Sequence, residues 1–180
     1  TDVGQHQMWS AQVMRILSPR RFLTSGGLGT MGFGLPAAIG ASLAHPDKRV
    51  ICMSGDGSIM MNIQELATLA ELSLPVKIFI LNNRHLGLVR QQQELFYSGN
   101  YMACAFGSSV DFARAAQSFG LRGFSVDNID EAINDIRDIV RDDKPALFDL
   151  RVASDDNVLP MVPPGEANVN MLGGAYSRLS

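Results

Sequence analysis

Little in this sequence supports cross-links, membrane insertion or nucleic-acid binding. Only two of its 180 residues are cysteine, Cys52 and Cys104, too few for a disulfide framework; a reducing compartment such as the cytoplasm fits. Fifteen Lys and Arg against eighteen Asp and Glu leave a net charge of -3, with no basic footprint for nucleic acid or an acidic lipid surface. Apolar runs are short, and Lys77 interrupts the one at 75–81, so no segment is fit to span a membrane. There is no internal repeat, and the only low-complexity tract is Gln91-Gln92-Gln93. An initiating methionine is also missing, and the opening TDVGQHQMW already reads as part of a motif. That predicts the carboxy-terminal piece of a longer polypeptide, so a missing targeting segment says little about the parent.

What is present is organised around residues 49–88. Residues 50–54 read as a buried strand, Asp56 sits in a turn between Gly55 and Gly57, a helix follows, and 76–81 form a second apolar strand ending at Asn82 and Asn83. A strand, a crossover helix and a strand make a right-handed parallel unit, which brings Asp56 and Asn83 to the same sheet edge. Together they offer a carboxylate and an amide oxygen, hard ligands that suit magnesium or calcium better than zinc. An isolated Asp-Gly is commonly no more than a turn; its place after a strand, with a second oxygen ligand at the end of the next, argues for a site.

The remaining chain alternates in the same way. Residues 7–17 carry a helical stripe, 21–25 read as a short strand, and a glycine-rich stretch at 26–34 opens a helix reaching His45. Further helices are expected at 88–97 and 110–119, strands at 121–126 and 146–152, a loop at 98–109, and a helix capped by Asn128 with Glu131 three positions on. Residues 153–180 form an irregular tail rich in Pro, Gly and Asn. The expected fold is a single α/β domain over residues 1–180, a three-layer, mostly parallel sheet with helices on both faces. A chain of this length buries roughly two-thirds of the surface its unfolded form exposes.

Gly27-Leu28-Gly29-Thr30-Met31-Gly32 also fits G-x-G-x-x-G, so a dinucleotide site is a rival reading, with Asp56 as its acid. The pattern GDG, then MNIQELATLAELSLPVK, then NN, with twenty-seven positions from Asp56 to Asn83, instead resembles the signature of thiamin-diphosphate-dependent enzymes. GQHQMW at 4–9, GGLGTMGFGLPAAIGA at 26–41, NNRHLGLVRQQQELFY at 82–97 and PMVPPG at 160–165 resemble the acetohydroxyacid (acetolactate) synthase branch of that family, over nearly the whole chain.

The resemblance implies a thiamin-diphosphate-binding domain with Mg2+ held by Asp56, Asn83 and the main-chain carbonyl of His85. It implies that Gly4, Gln5, His6, Gly55, Gly57 and Ser58 face the diphosphate, that Gly29 and the main chain of Met31 meet the aminopyrimidine, that Gly87 binds the cofactor, and that Leu88 is the apolar wedge bending it. It further implies condensation of pyruvate with a second 2-keto acid after decarboxylation, in branched-chain amino-acid synthesis. The partners would be the chain's own amino-terminal domains, a second subunit in a homodimer or tetramer, and a small regulatory subunit. FAD in the full-length enzyme would be held largely outside this stretch. The family's catalytic glutamate also lies elsewhere, so this stretch alone is expected to be inactive. Gln92 stands where many members carry a tryptophan that narrows the second-substrate pocket. Another thiamin-diphosphate decarboxylase, oxidase or carboligase, or a non-catalytic module of the same fold, would share most of these features.

Overall fold

The protein is described by a computed structural model covering residues 1–107 and 110–173. Four parallel strands, β1 (Val50–Gly55), β2 (Val76–Asn82), β3 (Arg122–Val126) and β4 (Ala146–Arg151), form one sheet in the order β1-β2-β4-β3. Helices α1 (Gln5–Val13), α2 (Gly34–Ala44), α3 (Asp56–Ile59), α4 (Glu65–Glu71), α5 (Gly87–Phe96), α6 (Phe112–Ser118) and α7 (Ile129–Arg141) fall before and between them.

One sheet face is sealed by α2, α4 and α6. Leu35 and Ile39, Leu66 and Leu69, Phe112 and Ala116 pack there with Cys52, Ile78, Ile80 and Leu147. Each leucine, isoleucine or phenylalanine among them contributes about 1.5–3 kcal/mol when fully buried. On the other face Ile136 and its neighbours on α7 meet Phe79, Phe124 and Phe148. These three phenylalanines lie in register across β2, β4 and β3, stacked at centroid distances of 4.8 and 5.3 Å. Helices therefore lie on both faces of a parallel sheet, as expected, and the margin of the sheet at β1 is left partly open. There Ile51 is 43% exposed, beside an apolar recess of about 540 Å3 that Phe22, Ala37 and Ala41 also line.

Three elements differ from the sequence reading. Residues 21–25 form no strand, because their main-chain link to the neighbouring segment is a single bond from the Thr1 amine to the Leu23 carbonyl, and one bond is not a ladder. The helix after Asp56 is interrupted between α3 and α4, where Asn62 donates its side-chain amide to the Gly32 carbonyl at 2.8 Å and is drawn out of the helical path. The first helix starts two residues early and stops at Val13; residues 11–20 are exposed and find no apolar surface to continue on. The cap at α7 forms, with the Asn128 side chain accepting from the Asp130 N–H, while Glu131 bonds the Asn128 side chain and not its main chain.

Among the described residues of the tail are a 3-10 turn at Asn168–Asn170 and a bridge between Met161 and Leu172. Residues 108 and 109 of the expected loop and 174–180 of the tail lie outside the described residues. Among the described residues no helix is long and apolar enough to cross a membrane.

Candidate functional site

A cavity of about 170 Å3 opens where β1 and β2 end. Gly55 is in register with Leu81, so the residues that follow, Asp56 on one strand and Asn82 and Asn83 on the other, leave the sheet side by side. Asp56 and Asn83 both line the cavity. This is the position at which open parallel sheets bind their ligands.

Asp56 is only 5% exposed. Its Oδ1 accepts from the Gly57 N–H at 3.0 Å, while Oδ2 is buried with no hydrogen-bond partner among the described residues. Burial pushes the carboxyl up to about 6, partly offset by the N–H groups of Gly57 and Arg84. Ser58 ties the turn together: its hydroxyl accepts from the Gly55 N–H at 3.1 Å and lies 3.2 Å from the Gly55 carbonyl. Behind the turn lies a second, apolar cavity of about 330 Å3 lined by Met60, Met61 and Phe106 among others. Gly57 is the thin wall between the two, since a Cβ there would come within 2.5 Å of Leu86.

Asn83 accepts from the His85 N–H at 3.0 Å, and its amide nitrogen donates to Gln5 Oε1 at 3.3 Å. Its oxygen retains a second lone pair. The His85 carbonyl accepts no main-chain hydrogen bond from the described residues. Between them Arg84 sits at φ 58, a left-handed conformation that a non-glycine residue seldom adopts and that here holds the turn joining the two groups.

The amino-terminal arm supplies the opposite wall. The His6 ring lies against Gly4 and Gly55, where a Cβ on either would come within 2.8 Å. Burial holds its basicity down to about 4, so the ring is neutral near pH 7, and its buried Nε2 has no partner among the described residues. Gln5 lines the cavity beside it. Both of its amide hydrogens are used within the protein, one on Gln91 and one on the Asp156 carbonyl, each at 2.9 Å. Gly29 and Met31 reach the cavity from the loop before α2, and Gly87, Leu88 and Gln92 from the start of α5.

The cavity thus gathers every residue singled out from the sequence, although these come from four separate stretches of chain. Its lining also holds Trp9, which sequence reasoning quoted within a motif without assigning it a place. Asp149 was missed outright: it is buried behind the site, where it accepts from Asn82 at 2.8 Å, and burial raises its carboxyl. An acid inside an apolar strand was its only signal.

The dinucleotide alternative does not survive. No strand precedes the glycines, α2 begins only at Gly34, and the main chain of Gly32 is occupied by Asp2 and Asn62. Chemically, the site offers one unpaired carboxylate oxygen, one amide oxygen and one carbonyl. Among the described residues no group of three His, Cys, Asp or Glu side chains could hold a metal alone. So sparse a set fits a hard cation that takes its other ligands from water and phosphate, and the glycine walls leave room for such a group to approach.

Comparison with known proteins points the same way. A family model described as "Thiamine pyrophosphate enzyme, C-terminal TPP binding domain" matches residues 2–150. The chain is 53% identical over 173 residues to the acetolactate synthase isozyme 1 large subunit of Escherichia coli (strain K12), covering 96% of this chain and 31% of that protein. It is 47% identical over 174 residues to the acetolactate synthase large subunit of Porphyra purpurea, covering 96% of this chain and 29% of that one. The chain therefore spans about a third of the length of the curated relatives it matches. With a parallel sheet and a cavity at its carboxyl edge already in place, the match over residues 2–150 settles the family: this chain belongs to the thiamine pyrophosphate enzymes, as their C-terminal TPP-binding domain.

Proposed function

We propose that this chain is the cofactor-binding part of an acetolactate synthase large subunit, which binds thiamin diphosphate through Mg2+ held by Asp56, Asn83 and the His85 carbonyl. The observation carrying the reading is the Oδ2 of Asp56, buried in the cavity that Asn83 also lines and without a partner among the described residues. An unpaired buried carboxylate is costly, and a divalent cation removes that cost. The cofactor supplies the electron sink for decarboxylating pyruvate and joining its remaining carbons to a second 2-keto acid.

The chain's own residues bind and orient. Neutral His6 presents its unsatisfied ring nitrogen to the diphosphate end, Gly55 and Gly57 allow close approach, and Leu88 gives the cofactor an apolar surface to bend over. The glutamate that completes the chemistry would come from a partner subunit's amino-terminal domain. FAD, a homodimer or tetramer, a small regulatory subunit and a cytoplasmic setting belong to the same proposal; the large-subunit names of the relatives support the regulatory partner.

Trp9 lines the cavity and is the only tryptophan of this chain, so its fluorescence reports occupancy. Thiamin diphosphate is expected to quench it with Mg2+ present and not with EDTA, and Asp56→Asn to abolish the quenching. Magnesium-independent quenching would refute the cation site. Product analysis of the full-length protein fed pyruvate should give acetolactate; acetaldehyde or acetate would move the reading to a decarboxylase or an oxidase. Gln92, smaller than the tryptophan common at its position, should leave little preference for 2-ketobutyrate over pyruvate as acceptor. Competition between the two acceptors measures it, and Gln92→Trp is expected to raise the preference about tenfold.

A further inference from the structure

Helix α5 has two sides with different partners. Gly87, Leu88 and Gln92 line the cavity, whereas Arg90 and Gln91 grip the segment that follows β4. Arg90 donates to the carbonyls of Asp155 and Asp156 and to the Asn157 side chain at 2.6 to 3.1 Å. Gln91 is fully buried and makes a closed pair with the Val158 main chain, accepting from its N–H at 2.8 Å and donating to its carbonyl at 3.0 Å. The Gln91 oxygen also accepts from Gln5 at 2.9 Å, and the Gln5 oxygen accepts from the Asn83 amide. Three side-chain amides thus run in series from residue 158 to Asn83, each turned one way round by its neighbour.

An isolated asparagine amide can present either its oxygen or its NH2 group to a neighbour, and only the oxygen can bind a cation. With the Asn83 NH2 group engaged by Gln5 and one lone pair of its oxygen taken by the His85 N–H, the other lone pair is left for the cation. We propose that Gln91 is a positioning residue for the cation site, acting through Gln5 to orient the Asn83 amide, and that it thereby couples the 155–158 segment to divalent-cation binding. This rests on the cation reading above. Partners that orient a metal ligand in this way are worth roughly ten- to a hundredfold in metal affinity.

The test is Mn2+ binding to the full-length protein at fixed thiamin diphosphate, followed by electron paramagnetic resonance. Asn83→Ala should lose binding. Gln91→Met, similar in volume but without an amide, should weaken it at least about tenfold. Gln91→Glu, protonated when buried and so able both to donate and to accept, should stay within about threefold of the unmodified protein. A purely structural Gln91 would lower the melting temperature of Gln91→Met and leave Mn2+ affinity unchanged; that outcome overturns the relay while the cation site stands. Unaltered binding in Asn83→Ala would instead overturn both. Coupling is reciprocal, so in the unmodified protein Mg2+ should slow amide hydrogen exchange across 155–158. Unchanged exchange there refutes the coupling without needing any variant to fold.

Discussion

Asp56 and His6 are both buried at the cavity, and burial moves their titrations in opposite directions. The folded Asp56 carboxyl, raised to about 6, holds its proton more tightly than it does in the unfolded chain. In metal-free protein its contribution therefore costs stability as pH rises from about 4 to about 6, on the order of 2–3 kcal/mol in all. His6, held down to about 4, stays neutral while the unfolded chain takes up a proton, so its contribution is lost as pH falls from about 6.5 to about 4. The two slopes oppose one another. With EDTA present, Asp56→Asn is expected to raise stability at pH 7.5 and to expose the His6 slope as a steeper loss toward pH 4.5. Urea unfolding at both pH values checks this. Asp56 and Asn83 were legible in the sequence because their chemistry and spacing are local to one strand-helix-strand unit. The fate of Gln5 and Gln91 was not, because both depend on where residues 155–158 run, more than sixty positions beyond Gln91.

Among the elements, β1 and β2 were readable because β-branched and apolar runs bounded by turn residues admit few alternatives. Residues 21–25 have the same local character and fail as a strand for want of a ladder, which is a property of the neighbours. The break between α3 and α4 likewise comes from Asn62 meeting Gly32, thirty positions away. β2 carries a second feature hidden from local reasoning. Lys77 is fully buried at the end remote from the cavity, where its ammonium donates to the Asp142 carboxylate and to the Asp142 and Lys144 carbonyls. Asp142 also takes a two-pronged contact from Arg122, whose guanidinium holds that carboxyl far below the usual range. Removing one partner of a buried pair leaves an uncompensated charge, whereas replacing the buried charge by an apolar chain need not. Asp142→Ala is therefore expected to cost about 3 kcal/mol and Lys77→Met less than about 1 kcal/mol, as read by denaturant midpoints.

For the molecule as a whole, alternating elements were enough to anticipate a covered parallel sheet and a ligand edge. They could not show that the β1 margin is left partly open, since that depends on how α2 and the amino-terminal arm pack beside it. Ile51 and the recess beside it leave an apolar strip along β1, on a strand that has no ladder partner on that side among the described residues. Such strips promote association. A polypeptide of these 180 residues alone is expected to self-associate at micromolar concentration, and Ile51→Lys to reduce this, as measured by light scattering. Equal association of both would show that the contact lies elsewhere.

Both thiols are walled in: Cys52 lies within the sheet, where burial raises it to about 12, and Cys104 is buried beside the turn at Leu86. Leu28, by contrast, stands 94% exposed next to Gly29 at the cavity mouth. A maleimide dye offered to a Leu28→Cys variant would thus find one reactive sulfur in this domain, giving an optical gauge of how the entrance behaves as the site fills.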